Sequence, residues 1–430
     1  MIWKLGYRLL LWLAFPWALA HLWWRGRRQP GYREHIAERF GWYQVRPARP
    51  VIWLHAVSVG ETRAAEPLVR ALAARYPGHE LLLTQMTPTG RETAQQLFGD
   101  TATIVYLPYD YAGAVARFLA QFRPRLGILM ETEIWFNLVA GCARLGVPLL
   151  LANARLSEKS ARGYELVAPL TRAALGGLAA VSAQTREDAE RLARLGARGV
   201  EVTGNLKFDV VLAPQLLALG AELKRRIGPR LVLLAASTRE GEEELVLDAL
   251  ARIRVDGLLL LLVPRHPQRF DEVAALLTKR NLNYLRRSDN RVLPPDCRVL
   301  LGDSMGEMAA YYAACDLAFI GGSLLPYGGQ NLIEACAVGR PLVFGRHMYN
   351  FAEASRLAVA AGAAIEVADA DMLGERAGEL LRDQATLARM SQAALAFSRA
   401  HQGATARNLA ICERLLKANS TSSAESQQRR

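Results

Sequence analysis

The sequence predicts an α/β protein built from two doubly wound parallel sheets. Short apolar runs alternate with segments of helical periodicity, and continuous apolar strands are typical of parallel sheets covered on both faces. The alternation pauses at about residues 210–230 and then resumes, and 430 residues exceed a single hydrophobic core. We therefore expect an N-terminal Rossmann-like domain over 31–211 and a C-terminal one over 212–418, facing a shared cleft.

The predicted strands follow one another in chain order. In the first half the apolar runs are VIWLHAV, LLLTQ, TIVYLP, LGILMET, VPLLLANA, LAAVSAQ and VEVTGN. In the second half they are LVLLAAS, LLLLLVPR, RVLLGD, LAFIGG, PLVFG and AAIEV. Ligands of open parallel sheets bind beyond the carboxyl ends of the strands, so residues that follow these runs are the first candidates for a site.

The N-terminus carries the apolar run LLLWLAFPWALAHLWW over residues 9–24. As a helix it reaches about 24 Å, short of the roughly 30 Å hydrocarbon core, so it spans a thinned bilayer or lies obliquely. The basic cluster RGRR with Arg33 outweighs Lys4 and Arg8, which leaves the body cytoplasmic by the positive-inside rule. A cleaved signal peptide ending near ALA is the alternative. We predict an uncleaved membrane anchor over 1–30.

Charge and cysteine usage limit the class of protein. The net charge of +12 and the pI near 9.7 favour an acidic partner, which is nucleic acid, an anionic membrane or a phosphorylated substrate. No aromatic pattern of the RNA-binding kind is present, so we expect no nucleic acid partner. Five cysteines without CxxC spacing indicate reduced thiols. The polar stretch 419–430 is expected to be a disordered tail.

Acidic residues follow two strands of the first half. HAVSVGE, His55–Glu61, reads as a strand-to-helix turn in which Ser58 and Gly60 permit the turn and Glu61 begins the helix. An acid in a first helical turn can simply stabilise the helix dipole, by about 0.3–1 kcal/mol. METEIW supplies Glu131 and Glu133 after another strand, as a pair of glycosidase carboxylates or as helix caps.

A glycine-rich loop follows a strand of the second half. GGSLLPYGGQNLIEACAVGRPLVFG, Gly321–Gly345, has two glycine pairs before a helix that opens near Asn331. Such a loop lets backbone amides approach a phosphate at a helix N-terminus. The alternative is a capping box of Asn331 and Glu334, which would leave the glycine pairs unexplained.

Two further motifs in the second half can bind an anion. Arg265 ends LLLLLVPR and offers a guanidinium suited to phosphate, unless it is an ordinary surface arginine. In GDSMGEM, Ser304 can cap a helix whose first free amides we expect to bind an anion. These amides belong to Met305, Gly306 and Glu307.

Together these motifs resemble the 3-deoxy-D-manno-octulosonic acid (Kdo) transferases of lipopolysaccharide synthesis, which are GT-B glycosyltransferases. The resemblance covers nearly the whole chain and includes HAVSVGE, TPTG, METEIW, ANARLS, GNLKFD, VPRHPQRF and GDSMGEM. Two positions depart from it. Family members have His where Gln330 stands, which removes a titratable group, and Pro where Phe136 stands, which alters a helix start.

The resemblance implies an inverting enzyme that moves Kdo from CMP-Kdo to a phosphorylated lipid A precursor at the cytoplasmic face of the inner membrane. By resemblance Glu61 is the general base that takes the acceptor proton, and Glu131 assists it. Lys207 in GNLKFD would neutralise charge on the departing CMP, unless it is an ordinary solvated lysine. Other possibilities are an epimerase-type sugar-nucleotide enzyme and a non-catalytic module that binds anionic lipid.

The expected donor site lies in the second half, with Glu334 accepting hydrogen bonds from the ribose hydroxyls. The residues predicted to bind CMP are Pro264, Arg265, Met305, Gly306, Glu307, Asn331, Leu332, Ile333 and Glu334. The sequence DAD, Asp369–Asp371, matches the Asp-x-Asp metal motif of the other glycosyltransferase fold, but it precedes a helical pattern and is better explained as a helix cap. We therefore predict no required metal and no cofactor.

Overall fold

The computed structural model describes residues 2–428, apart from the side chains of residues 2, 4, 5 and 420–428. The chain forms two compact units. Unit 1 contains Met1–Asp209 and Gln402–Arg430, and unit 2 contains Val210–His401. The sequence placed the boundary two residues later and assigned residues up to 418 to the second domain, whereas the chain from Gln402 onward belongs with unit 1.

Unit 1 is built on a parallel sheet of seven strands in the order β3-β2-β1-β4-β5-β6-β7. The strands are β1 Val51–His55, β2 Glu80–Gln85, β3 Ala102–Tyr106, β4 Leu126–Met130, β5 Leu149–Ala154, β6 Ala180–Ala183 and β7 Val200–Val202. The helices are α1 Ile2–Arg28, α2 Val59–Arg75, α3 Pro88–Phe98, α4 Ala112–Phe122, α5 Phe136–Arg144, α6 Glu158–Glu165, α7 Ala168–Leu175, α8 Arg186–Arg194 and α17 Ala404–Gln428. Short 3₁₀ helices cover Pro30–Arg33, Ile36–Phe40 and Leu206–Phe208.

The strands of unit 1 are apolar because helices cover both faces of the sheet. In β1, Val51 and Trp53 pack with α4 and α5 on one face, whereas Ile52 and Leu54 pack with α2 and α17 on the other. The α17 side chains in that second core are Ile411, Cys412 and Leu416. Their burial explains why the C-terminal segment belongs with unit 1.

Unit 2 also has seven parallel strands, in the order β10-β11-β9-β8-β12-β13-β14. The strands are β8 Val232–Thr238, β9 Leu259–Pro264, β10 Tyr284–Arg286, β11 Val299–Leu301, β12 Leu317–Ile320, β13 Leu342–Gly345 and β14 Ala364–Val367. The helices are α9 Pro214–Ile227, α10 Glu242–Arg252, α11 Phe270–Lys279, α12 Met308–Ala314, α13 Ile333–Ala337, α14 Ala352–Ala360, α15 Ala370–Arg382 and α16 Gln384–His401. Short 3₁₀ helices cover Pro267–Arg269, Arg287–Asp289 and Tyr349–Phe351. The prediction of two parallel-sheet α/β units is confirmed.

The N-terminal segment forms a helix, α1, but the prediction of a membrane anchor over 1–30 is not supported. Across residues 2–428, no helix combines the length and the apolar character that a membrane span requires. The physical reason is that the apolar run of 9–24 is only about 24 Å long as a helix, and charged residues stand on either side of it.

One side of helix α1 instead packs against the rest of unit 1. The Tyr7 hydroxyl donates to Oδ2 of the buried Asp110 at 2.9 Å, and the Tyr7 ring meets the ring of Phe136 edge-on with centroids 5.0 Å apart. The Tyr111 hydroxyl donates to the carbonyl of Leu11 at 3.0 Å. The position at which Phe136 departs from the family pattern is therefore a docking contact for α1.

Two local predictions about helices have different outcomes. Asp369 caps α15, because its carboxylate accepts from the amide of Met372 at 2.9 Å, so the capping interpretation of DAD is confirmed. The tail over 419–430 differs from the expected disorder, since α17 continues to Gln428. Extending a helix already formed is easier than starting one, which accounts for the continuation.

Candidate functional site

The carboxylates of unit 1 lie at the point where the strand order of its sheet reverses. Strands β1 and β4 are neighbours, but the chain leaves β1 towards β2 and β3 and returns on the opposite side as β4. Glu61 stands in the helix that follows β1, and Glu131 comes directly after β4. This reversal is where open α/β sheets bind ligands.

Glu61 is held by the start of its own helix. Ser58 is the N-cap of α2, with its hydroxyl oxygen 3.4 Å from the amide of Glu61. In return, Oε2 of Glu61 accepts from the amide of Val57 at 2.8 Å, and Oε1 accepts from the Ser58 hydroxyl at 3.1 Å. This reciprocal pattern resembles a capping box, so the helix-start role that the sequence left open is present and fixes the carboxylate in place.

The environment of Glu61 favours a base that works near neutral pH. The pKa of Glu61 is raised to about 7, mainly by burial and in addition by the charges of Glu131 and Glu133, against the hydrogen bonds from Val57 and Ser58, which lower it. A general base works best when its pKa lies close to the working pH. The helix-start contacts alone would lower this pKa, so the other two carboxylates and the burial give Glu61 its basicity.

Glu131 adopts a backbone conformation that is uncommon for glutamate. Its φ is 56°, in the left-handed region, while its amide continues the sheet by donating to the Ala152 carbonyl at 2.9 Å. Such a residue is held at a cost of about 1–3 kcal/mol and is most common at functional sites. Its neighbour Glu133 accepts from the Trp135 indole at 2.9 Å, and burial raises the pKa of Glu133.

Lys207 is brought to these carboxylates by the short helix Leu206–Phe208. Its ammonium nitrogen lies 4.0 Å from Oε1 of Glu131. The fully buried Asn153, also left-handed at φ 55°, accepts from the amide of Leu206 at 2.9 Å, and Gln184 donates to the Asn153 carbonyl at 2.9 Å. The sequence pointed to Asn153 only as part of ANARLS, and no signal in the sequence showed that it fixes the Lys207 segment.

His55, the first residue of HAVSVGE, is buried and makes contacts that stabilise the fold. Its Nδ1 lies 2.9 Å from the Thr84 hydroxyl, and its ring meets that of Trp135 edge-on with centroids 6.3 Å apart. Complete burial lowers the pKa of His55 to about 4, so the ring stays neutral at physiological pH. His55 therefore links β1 to the segment that carries Glu131 and Glu133.

The first glycine pair of unit 2 does not offer free amides to a phosphate, which corrects the sequence prediction. The buried carboxylate of Glu242 accepts from the amides of Gly322 at 2.5 Å, Ser323 at 2.9 Å and Leu324 at 3.0 Å. A side chain of the protein thus occupies the anion-binding turn. The acidic start of α10, EEE, was the only sequence signal for this partner.

The second predicted anion site also differs from the expectation. Ser304 does not cap a helix, because α12 begins at Met308; its hydroxyl donates to Oε2 of Glu307 at 2.6 Å. Gly306 has φ 79° and nothing within 4 Å of the position its Cβ would take. The segment Met305–Gly306–Glu307 is thus an open loop after β11 and not a helix start. Gly306 permits the turn of this loop because glycine readily adopts a positive φ.

Asn331 and Glu334 do not form the capping box that was the alternative. Asn331 Oδ1 accepts from the amide of Ile333 at 3.0 Å, whereas no hydrogen bond of the Glu334 carboxylate is found within the described part of the chain. Burial raises the pKa of Glu334. Leu332 and Ile333 are core residues, so only their backbone can meet a ligand.

The remaining predicted donor residues follow β9. Pro264 ends that strand, and the amide of Arg265 donates to the Thr238 carbonyl at 2.9 Å, which places Arg265 beside the end of β8. Strands β8 and β12 are the neighbours at which the order of this sheet reverses. The amide of Gln330 donates to the carbonyl of Gly321, which follows β12, at 3.0 Å.

We found no group of three or more His, Cys, Asp or Glu side chains among the described residues that is arranged to hold a metal ion. The predicted catalytic residues Glu61, Glu131 and Lys207 all belong to unit 1, and the predicted donor residues all belong to unit 2. Each set lies at the carboxyl ends of the strands of its own sheet.

Known proteins share both units. Residues 34–210 match the family model for 3-deoxy-D-manno-octulosonic-acid transferase (kdotransferase), and residues 242–397 match that for glycosyl transferases group 1. A 3-deoxy-D-manno-octulosonic acid transferase of Bordetella pertussis is 47% identical over 409 residues, covering 91% of this chain and 94% of the relative. The transferase of the same name from Haemophilus influenzae is 36% identical over 426 residues, covering 97% and 100%.

Among solved structures, the fold is similar to Anabaena Alr3699/HepE in complex with UDP. The TM-score is 0.55 at 15% identity, covering 85% of this chain and 99% of that one. Two parallel α/β units with candidate groups at their strand ends define, with these matches, a glycosyltransferase of the GT-B class. Within that class, the chain belongs to the Kdo transferase family, whose members transfer Kdo in lipopolysaccharide synthesis.

Proposed function

We propose that this enzyme transfers Kdo from CMP-Kdo to a phosphorylated lipid A precursor, with inversion at the anomeric carbon and without a required metal. The observation that carries the proposal is Glu61, a fixed carboxylate at the reversal point of the unit 1 sheet whose pKa is raised to about 7. A transferase that deprotonates a sugar hydroxyl near neutral pH needs a base of this kind.

The proposed reaction is a single displacement. Ionised Glu61 takes the proton of an acceptor sugar hydroxyl as the hydroxyl oxygen bonds to the anomeric carbon of Kdo. The bond from that carbon to the phosphate oxygen breaks, and CMP leaves with the electron pair. Attack opposite to the leaving group inverts the anomeric configuration. Glu131 keeps Glu61 basic through its charge, and Lys207 stabilises negative charge that develops on the leaving phosphate.

The proposed donor site lies in unit 2. Arg265 supplies a guanidinium for the phosphate, and the loop Met305–Gly306–Glu307 and Asn331 line the nucleotide. Glu334 accepts from the two ribose hydroxyls, for which a buried carboxylate with no hydrogen bond to any described residue is well suited. Hydrogen bonds donated by those hydroxyls would favour the ionised form that burial disfavours.

We place the enzyme at the cytoplasmic face of the inner membrane, with α1 lying in the membrane interface. Helix α1 leaves Trp12, Trp17 and Trp23, among others, largely exposed. The guanidinium of Arg27 lies 4.0 Å from the ring centroid of Trp23. Tryptophan at headgroup depth beside basic residues is the pattern of helices that lie in an interface. The net charge of +12 suits an anionic leaflet and a phosphorylated acceptor.

The test is an assay of the purified full-length chain with CMP-Kdo and a bisphosphorylated tetraacyl disaccharide acceptor. We expect acceptor-dependent release of CMP and a mass gain of one or more Kdo units on the lipid. Conversion of the sugar nucleotide without acceptor would instead favour an epimerase-type enzyme. Binding to anionic vesicles with no CMP release would favour a non-catalytic lipid-binding module.

A further inference from the structure

A cavity of about 230 Å³ is lined by Glu131, and none of its other lining residues has a role in the reaction described above. The end of β4, the residues after β5 and helix α6 form its walls, so it lies entirely within unit 1. The lining residues are Glu131, Thr132, Arg155, Ser157, Ser160 and Tyr164. All of them carry polar side chains.

The wall formed by α6 is well defined. The Ser157 hydroxyl oxygen accepts from the amide of Ser160 at 3.1 Å, and the Ser157 and Ser160 hydroxyl oxygens lie 3.0 Å apart. The Tyr164 hydroxyl oxygen lies 3.5 Å from the carbonyl of Thr132, which joins α6 to the segment after β4. The positive end of α6 therefore adjoins the cavity, with two hydroxyl groups beside it.

The charges around the cavity favour an anion on the α6 side. Arg155 is exposed, and within the described chain we found no hydrogen bond or ion pair of its guanidinium. The neighbouring acid Glu158 is paired with Arg162 at 3.7 Å, Arg191 at 3.3 Å and Arg194 at 3.5 Å. The charge of Glu158 is thereby compensated, whereas no acid among the described residues forms an ion pair with Arg155.

The size of the cavity limits the ligand. A volume of about 230 Å³ is smaller than the roughly 300–1,000 Å³ of sites that enclose a drug-sized molecule, so it suits one sugar ring with its anionic group rather than a nucleotide. Glu131, which also lines the cavity, can accept hydrogen bonds from ring hydroxyls. The chemistry that fits is a sugar ring bearing an anionic substituent.

We propose that this cavity binds the phosphorylated sugar ring of the acceptor, with the phosphate on Arg155, Ser157 and Ser160 and a ring hydroxyl on Glu131. The inference rests on the proposed function, in which the acceptor meets Glu61. Glu131 belongs to the cavity and directly follows β4, the strand paired with β1, which leads into the helix of Glu61, so a ring held there lies close to the base. The carboxylate of Kdo is the other anion of suitable chemistry, and the test separates the two.

The test compares Arg155→Ala with Arg186→Ala in the full-length enzyme. Arg186 is a matched control, since it is also an exposed arginine at a helix start of unit 1, paired only with Glu190 in the described structure. Each variant is assayed with the bisphosphorylated acceptor and with the same lipid after enzymatic removal of its phosphates, and the KM of CMP-Kdo is measured separately. CMP binding and thermal stability report whether the variants are folded.

We expect Arg155→Ala to raise the KM of the phosphorylated acceptor about 10- to 100-fold, the range for losing hydrogen bonds to a charged group. With the dephosphorylated lipid, the KM of Arg155→Ala should differ little from that of the wild type. The KM of CMP-Kdo should stay within about two-fold of the wild-type value, and Arg186→Ala should match the wild type in every assay. An Arg155→Ala enzyme that matches wild type on both lipids would overturn the subsite while leaving the transferase intact. A raised KM for CMP-Kdo alone would assign the cavity to the Kdo carboxylate and also overturn it. Absence of transfer by the wild-type enzyme would instead refute the proposed function.

Discussion

The ammonium nitrogen of Lys207 lies 4.0 Å from Oε1 of Glu131, and both side chains are about one-quarter exposed, at 29% and 24%. At this distance and exposure an ion pair contributes about 0–1 kcal/mol, so little holds the ammonium on Glu131 alone. Lys207 is therefore able to serve a second anion, and two roles are open to it. It can stabilise the leaving phosphate, or it can only tune the carboxylates.

Replacement of Lys207 by Met distinguishes these roles through the pH profile. If Lys207 stabilises the leaving group, kcat should fall by roughly 10²–10³ at every pH, as for other lost electrostatic stabilisers, and Lys207→Arg should recover part of it. If it only compensates Glu131, the activity profile should shift to higher pH while kcat at alkaline pH is retained. We predict the first outcome, measured as kcat from pH 6 to 9.

Glu334→Ala should weaken CMP binding about 10- to 100-fold, because two ribose hydroxyls lose a charged, buried acceptor. Glu334→Gln, which keeps one acceptor oxygen, should bind with intermediate affinity. Isothermal titration with CMP measures both. A matched control is Glu353→Ala, on α14 of the same unit and outside the predicted donor residues. Unchanged CMP affinity in Glu334→Ala would remove Glu334 from the nucleotide site.

Tyr7→Phe should loosen the docking of α1 on unit 1. The phenylalanine keeps the ring contact with Phe136 but loses the hydrogen bond to the Asp110 carboxylate, which also accepts from the amides of Asn137 and Leu138. A hydrogen bond to a charged group contributes about 1.5–3 kcal/mol. We expect faster tryptic cleavage in the basic segment 25–28, measured by mass spectrometry over time.

Leu13→Ala is the control for that experiment, since Leu13 is 71% exposed and its truncation leaves the Tyr7 contact intact. Its cleavage rate should equal that of the wild type. Equal rates for all three proteins would show that the Tyr7–Asp110 bond does not hold α1 in solution. Because Asp110 contacts the start of α5, which follows METEIW, Tyr7→Phe should also lower kcat on detergent-dispersed acceptor modestly.

Much of the fold could be predicted because a parallel sheet covered on both faces leaves a clear trace. The alternation of apolar runs and helical patterns predicts both sheets, although nothing in it gives the strand order that makes β1 and β4 neighbours. The assignment of α17 to unit 1 could not be predicted from the sequence for the same reason. Its apolar residues match any buried face, and only the tertiary structure places Ile411 and Cys412 against α2.

Some features of the candidate site could also be predicted from the sequence, and others could not. The placement of Glu61 and Glu131 after neighbouring strands could be predicted in part, because each follows an apolar run and the family resemblance covers their motifs, whereas their catalytic roles remain predictions. The partner of the first glycine pair could not, since Glu242 is 80 residues away from Gly322 along the chain and three acids start its helix. Likewise, the left-handed conformations of Glu131 and Asn153 depend on sheet pairing and on buried amide contacts, which no local pattern contains.

The pKa of Glu61 has a consequence for stability as well as for activity. The folded pKa of about 7 exceeds the ordinary glutamate pKa of 4.5, so the folded state binds the proton more tightly than the unfolded chain. The wild-type protein should therefore lose stability as pH rises from about 4.5 to 7, and Glu61→Gln should lose less over that window. Urea unfolding at pH 5 and pH 8 measures the free energy of unfolding of the wild type and of Glu61→Gln. An equal loss in both proteins would mean that Glu61 is already ionised in the folded protein at pH 5.

Glu61→Gln also tests the central claim, that this carboxylate removes the acceptor proton. The decisive measurement is kcat/KM for the acceptor from pH 5 to 9 in the wild type and in Glu61→Gln, with CMP binding as the control for folding. In the wild type, log(kcat/KM) should rise with unit slope and level off above a pH of about 7, which is the pKa of Glu61 in the enzyme without substrate. In Glu61→Gln, kcat/KM should be lower by at least roughly 10²–10⁴ and that rise should be absent, while CMP binds normally. A Glu61→Gln enzyme that keeps near-normal kcat/KM, with the same rise near pH 7, would contradict the account.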